Sequence, residues 1–228
     1  MFSVTLAVTA VAIIGSLLLT YQLTPTVFAD GATIEVTTTD DELNNDGDCS
    51  LREAITSANV DVSIDACVSG SGDDTILLQE SVIYVLTISD DRSPEDDNLS
   101  GDLDITADLT IEGRNSTIDG GHREPNQVAE FRRIIHAHEA DVVLNDLTIT
   151  GGVPPRFGSN RVGGGILNDN GSLTLNRSRV VGNGSLSLPA FDTAGSGGGI
   201  ASSGNLTLNE SLVAFNTSSN GDQPNTLG

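Results

Sequence analysis

Four groups of side chains in this sequence are of the types that carry chemistry. Cys49 and Cys67 are its two cysteines and stand 18 positions apart. In an oxidising compartment such a pair forms a disulfide, and in a reducing one it packs as two buried thiols. Glu42, Asn44 and Asp46 alternate along an acidic stretch, Gly47 follows, and Glu53 comes six residues later. Alternate oxygen ligands, a glycine for the sharp turn and a distal bidentate Glu are what a calcium loop needs, although Glu replaces the usual Asp at the first position. A solvated acidic turn uses the same residues equally well. His136 and His138 alternate on a strand-like run and would share one face, where Glu139 or Asp141 stands ready as a further metal ligand. Two strand histidines without a third ligand at a recognisable spacing are more commonly surface residues. Asp102, Asp104, Glu112 and Asp119, with Arg114, are the materials of a sugar-cleaving groove, in which carboxylates act as acid and base or hold calcium beside a catalytic Arg. With 32 Asp and Glu in the chain, a solvated acidic face accounts for them too.

The elements that must position these groups are written as a repeat. Gly163-Gly164-Gly165-Ile166, then Leu173-Thr174-Leu175-Asn176-Arg177-Ser178 and Asn183, recur as Gly197-Gly198-Gly199-Ile200, Leu206-Thr207-Leu208-Asn209-Glu210-Ser211 and Asn216. Val142 to Gly151 is a weaker copy, and Leu109 to Gly113 a trace of another. Apolar residues alternate within each copy, so each is a short half-buried strand. Such strands bury their apolar face only by stacking in successive parallel coils. The predicted fold is therefore all-β, a right-handed parallel β-helix over residues 71–228, with Leu173 over Leu206 and Leu175 over Leu208. Asn176 over Asn209 and Asn183 over Asn216 would form side-chain amide ladders, or else these Asn are turn residues chosen for left-handed backbone angles. The sequons at Asn98, Asn176 and Asn205 matter for glycosylation only in a eukaryotic host.

Ahead of the coils, residues 30–70 form a cap. Ser50 and Glu53 have capping-box spacing, and Leu51, Ala54, Ile55 and Ala58 fall on one helical face. A short α-helix is expected there, its apolar stripe laid across the open end of the first coil. Glu53 is claimed by this cap and by the calcium loop alike. The run Cys49-Ser50-Leu51-Arg52-Glu53-Ala54 reads CSLREA and resembles the motif of the CSLREA-domain family of exported bacterial and archaeal proteins. Ser100 to Thr106 and Leu109-Thr110-Ile111 look like the first coils of that family, and the Gly-Gly-Gly-Ile copies are more weakly similar to polymorphic outer-membrane protein repeats. The resemblance implies a secreted or surface β-helix and supplies no catalytic residue.

Composition agrees. Aromatics are 4%, Trp is absent, and 25 Gly accompany a core that must come from Val, Ile and Leu. The net charge of −22 repels nucleic acid and anionic lipid and attracts divalent cations. Residues 1–29 resemble a signal peptide ending at Val27-Phe28-Ala29, or an uncleaved anchor, in which case that segment is the membrane contact. Export would put the cysteines where a disulfide persists. Further coils or a capping domain are expected after Gly228, because a third triple-Gly would fall near there. The resulting expectation is a secreted or cell-surface β-helix with an adhesin-like or structural role and carbohydrate or other cell-surface ligands. Calcium at Glu42, Asn44, Asp46 and Glu53 is the one cofactor expected. The competing expectation is a polysaccharide lyase or glycoside hydrolase whose catalytic coils lie beyond Gly228.

Overall fold

The computed structural model describes residues 30–89, 97–121, 132–154, 162–185 and 197–218. The expectations for residues 1–29 and for whatever follows Gly228 lie outside them. The elements run β1 (Thr33–Glu35), α1 (Leu51–Val60), β2 (Asp74–Leu77), β3 (Ile83–Val85), β4 (Leu103–Ile105), β5 (Leu109–Asp119), β6 (Ile135–His138) and β7 (Asp141–Thr150). They continue with β8 (Ile166–Asp169), β9 (Ser172–Asn176), β10 (Arg179–Val181), β11 (Gly184–Ser185), β12 (Ile200–Ser202), β13 (Asn205–Asn209), β14 (Leu212–Ala214) and β15 (Thr217–Ser218).

These strands stack as a parallel β-solenoid. Two adjoining faces are formed by a nine-stranded sheet with the path β1-β2-β5-β7-β10-β14, on which β3 joins β5, β9 joins β7 and β13 joins β9, and which turns the corner between them within β5 and β7. A third face is the four-stranded sheet β12-β8-β6-β4, and β11 pairs with β15 separately. Leu173 partners Leu206 and Leu175 partners Leu208 in parallel register, as the repeat predicts. The inward row Ile34, Ile76, Ile111, Leu144 and Leu175 climbs one coil per step, and every member is 0% exposed. Burying each of these side chains contributes about 1.5–3 kcal/mol, so the core is a column in which every layer is covered by the next. Leu208 carries the row on at 45% exposure, since nothing among the described residues covers that end.

Polar rows run beside the apolar ones. Asn209 Nδ2 donates to Asn176 Oδ1, Asn176 Nδ2 to Asn145 Oδ1 and Asn145 Nδ2 to Glu112 Oε1, at 2.7–2.8 Å. Asn183 Nδ2 donates to Asn216 Oδ1 at 3.0 Å. Both expected ladders are present, and the Asn residues are not the left-handed ones. The next residue turns the corner instead: Asp146, Arg177 and Glu210 have φ of 49°, 48° and 51°. Ser178 Oγ then accepts the Leu147 N–H and donates to the Leu144 carbonyl, so the corner's backbone groups are satisfied by the adjacent coil.

The cap forms as the motif predicts. Ser50 is the N-cap of α1, with both halves of the capping box in place. Cys49 and Cys67 are joined in a disulfide with Cα atoms 4.9 Å apart. Closing a loop of this size contributes about 3 kcal/mol on the chain-entropy account.

Candidate functional site at the cap and the outer face

Helix α1 has a second stripe that the apolar pattern does not show. Arg52, Thr56 and Asn59 fall at i, i+4 and i+7 on the face turned toward the segment 97–106. Asn59 Nδ2 donates to the Asp104 carbonyl, and Asn59 Oδ1 accepts the Thr106 N–H. That single amide pairs with the free edge of β4 as a neighbouring strand would, which protects the edge. Asn98 Nδ2 donates to the Arg52 carbonyl and to Thr56 Oγ1, with Asn98 fully buried, so this sequon is closed to modification in the folded chain.

Arg52 is the anchor of this junction. Its side chain is 0% exposed and pairs with Asp41, Nε to Oδ1 at 2.7 Å. Its terminal nitrogens donate to the Asp102 carbonyl at 2.9 Å and the Gly101 carbonyl at 3.0 Å. Asp41 Oδ2 accepts the N–H groups of Thr87 and Ile88, while Arg132 donates to the carbonyls of residues 86–88. Burial lowers the Arg132 pKa, and the nearby Asp41 charge opposes that shift. The Arg of the motif is therefore a rivet between helix, acidic loop and coil.

The residues of the expected calcium loop divide between two jobs. Glu53 is buried and spends both oxygens on the backbone, Oε2 on Ser50 N–H and Oε1 on Asn44 N–H, each at 2.9 Å. Asn44 Nδ2 donates to Glu42 Oε2 at 2.6 Å. The structure gathers Glu42 and Asp46 with Asp48, not Glu53: their carboxylate oxygens lie within 4.8 Å of one another. Burial raises the pKa of both Glu42 and Asp48, reinforced by Asp46 and other acids nearby. A raised pKa in the fold means that the folded loop binds protons more tightly than the unfolded chain does. Its contribution to stability is fully present below the ordinary carboxylate range and is lost as pH rises through the folded-state value. Asp48→Asn is thus expected to raise the melting temperature at about pH 7 and to leave it unchanged at about pH 3. Scanning calorimetry at the two pH values checks this, and equal behaviour at both would mean that the repulsion is negligible.

Of the carboxylates considered for a sugar-cleaving groove, Asp102 and Asp104 lie together beside His136, within 4.8 Å, while Glu112, Asp119 and Arg114 are engaged elsewhere. Asp102 pairs with Arg133 at 2.9 Å, and Asp104 faces His136 on the four-stranded sheet. Glu112 sits in the Asn ladder of the nine-stranded sheet, and Asp119 accepts the Gly121 N–H. Arg114 reaches exposed Glu80 at 3.6 Å and the Leu78 carbonyl.

His136 and His138 do share a face. Strand alternation sends Ile135 and Ala137 into the core at 0% exposure and turns both imidazoles outward, their centroids 5.7 Å apart. Neither Glu139 nor Asp141 completes the pair. Glu139 turns a corner with φ of 54°, and Asp141 Oδ1 accepts the Ser172 N–H. The acids beside the histidines come from other coils. Asp104 partners His136 across β4 and β6, and Asp169 partners His138 across β6 and β8.

No protein-family model, curated protein or solved structure matches the chain. Among the described residues, no helix is long and apolar enough to cross a membrane.

Proposed function

We propose that this chain is a secreted or cell-surface β-solenoid of the CSLREA type, with an adhesin-like role in which the flat outer face formed by β9, β13 and the first halves of β5 and β7 binds a repeating polymer such as a polysaccharide. The observation that carries this reading is the outer row Thr110, Val143, Thr174 and Thr207 beside the row Glu112, Asn145, Asn176 and Asn209, each in strict register from coil to coil. Adjacent strands stand about 4.8 Å apart, so polar side chains recur from coil to coil, with Val143 interrupting the hydroxyl row and Glu112 opening the amide row. A periodic, polar, rigid surface is matched by a ligand that is itself periodic, and stacked side chains that are already ordered lose little entropy on binding. The disulfide supports export, because such a bond persists in oxidising compartments. Among the described residues, Leu206, Leu208 and Val213 of the last coil are half-exposed and Phe215 is exposed.

Co-sedimentation of the full chain with a panel of insoluble polysaccharides tests the binding. Retention on at least one of them is expected, falling at least about tenfold when Thr174→Glu and Thr207→Glu are combined. Equal retention of the double variant, or none on any polymer, overturns the proposed ligand class. Alkylation of the protein as cells produce it tests export, and two free thiols on a cytosolic product would overturn that half.

A further inference from the structure

We propose that His136, His138 and Asp169 form a binding site for a divalent transition metal of the zinc kind, on the outer face of the four-stranded sheet and bridging two successive coils. One nitrogen of each imidazole and one oxygen of Asp169 all lie within 4.8 Å of one another. His138 Nδ1 is shielded from solvent, makes no hydrogen bond, and stands 3.7 Å from Asp169 Oδ2. That separation is too long for a hydrogen bond. It is close to the roughly 3.4 Å between ligand atoms that each lie about 2.1 Å from one tetrahedral zinc ion.

The surrounding contacts hold two of the three ligands in the form that a metal needs. His136 Nδ1 is 3.2 Å from Asp104 Oδ1, and Asp104 is fully buried. A carboxylate there accepts a hydrogen bond from Nδ1–H, which favours the tautomer whose Nε2 is the metal-ligating nitrogen, as in carboxylate–histidine–zinc arrangements. Asp169 Oδ1 accepts the Ser203 hydroxyl at 3.0 Å, which leaves Oδ2 for the ion. Two imidazoles and one carboxylate suit zinc and its neighbours, whereas calcium and magnesium call for oxygen throughout. The His138 and Asp169 side chains are 40% and 30% exposed, so an ion has a path in, and three protein ligands leave one position open to water or an external ligand. The neighbouring group of Asp102, Asp104 and His136 is a poorer site, since Asp102 already pairs with Arg133 at 2.9 Å.

The test is titration of the full chain with zinc by calorimetry, together with the visible spectrum of the cobalt-loaded protein. One equivalent of zinc and the intense absorption of four- or five-coordinate cobalt are expected. His138→Ala and Asp169→Asn should each weaken zinc at least about tenfold while melting as the metal-free parent does, because both side chains are partly exposed. Asp46→Asn, in the acidic loop, should bind zinc as the parent does. Absence of zinc binding in the parent, unchanged affinity in both His138→Ala and Asp169→Asn, or the weak cobalt spectrum of a six-coordinate oxygen site would overturn the proposal.

Discussion

Replacing Arg52 by Met is expected to cost about 3–5 kcal/mol, a large share of the 5–15 kcal/mol that holds a typical domain together. The size follows from what the substitution leaves behind. Asp41, with a side chain only 4% exposed, would stay buried with its cationic partner gone, and the carbonyls of Gly101 and Asp102 would lose the donors that now satisfy them. Met fills most of the space, so the loss is electrostatic and hydrogen-bonding in origin and not a cavity effect. Asp41→Asn combined with Arg52→Met should therefore be less damaging than the single effects added together, with a coupling of at least about 1 kcal/mol. Urea denaturation of the parent, both single variants and the double variant measures that coupling. An Arg52→Met protein within about 1 kcal/mol of the parent would mean that the motif's Arg is not the rivet between cap and coil.

How far the residues announce this structure depends on the distance over which each interaction acts. The Leu-Thr-Leu-Asn copies were legible because each coil repeats its neighbour, and Leu173 and Leu206 must meet once the period is seen. The capping box was legible because Ser50 and Glu53 are three residues apart. Arg52 was not, since its carbonyl partners at Gly101 and Asp102 are 49 and 50 residues away in a segment with no repeat of its own. The stripe Arg52, Thr56 and Asn59 was the available signal, a row of hydrogen-bonding side chains on a helix that is buried on two sides. Asp169 escaped for a related reason. It lies one coil beyond His138, and coils differ in length, with equivalent residues 31 positions apart at Asn145 and Asn176 but 33 at Asn176 and Asn209. No fixed offset from the histidines points to it. Glu53 shows the opposite case, two local motifs competing for one side chain. The cap wins because a carboxylate bonded to two N–H groups in a buried corner would leave both unsatisfied if it turned to a cation.

Gly164→Ala is expected to destabilise the solenoid by at least about 3 kcal/mol, whereas Gly184→Ala, only twenty residues on, should cost under about 1 kcal/mol. The triple glycines look like flexible linkers, but they pack as core. A methyl group on Gly164 would overlap the carbonyl oxygen of Gly184 and would stand 2.7 Å from that of Gly198 and 2.9 Å from that of Gly152. These are backbone atoms of three stacked segments, and two of them are fixed by ladder bonds, Gly184 N–H to the Gly152 carbonyl at 2.8 Å and Gly165 N–H to the Gly198 carbonyl at 3.3 Å. No side chain can rotate away to make room, so the coils themselves must separate and break that ladder. At Gly184 the nearest atoms to an added methyl are Thr217 Oγ1 at 3.2 Å and a Val153 methyl at 4.0 Å, and both belong to side chains that can yield. Denaturant midpoints for the two variants decide the matter. Similar small losses at both positions would mean that the coils are not in close backbone contact at the triple glycine, and that its recurrence at Gly197-Gly198-Gly199 serves chain flexibility and not packing.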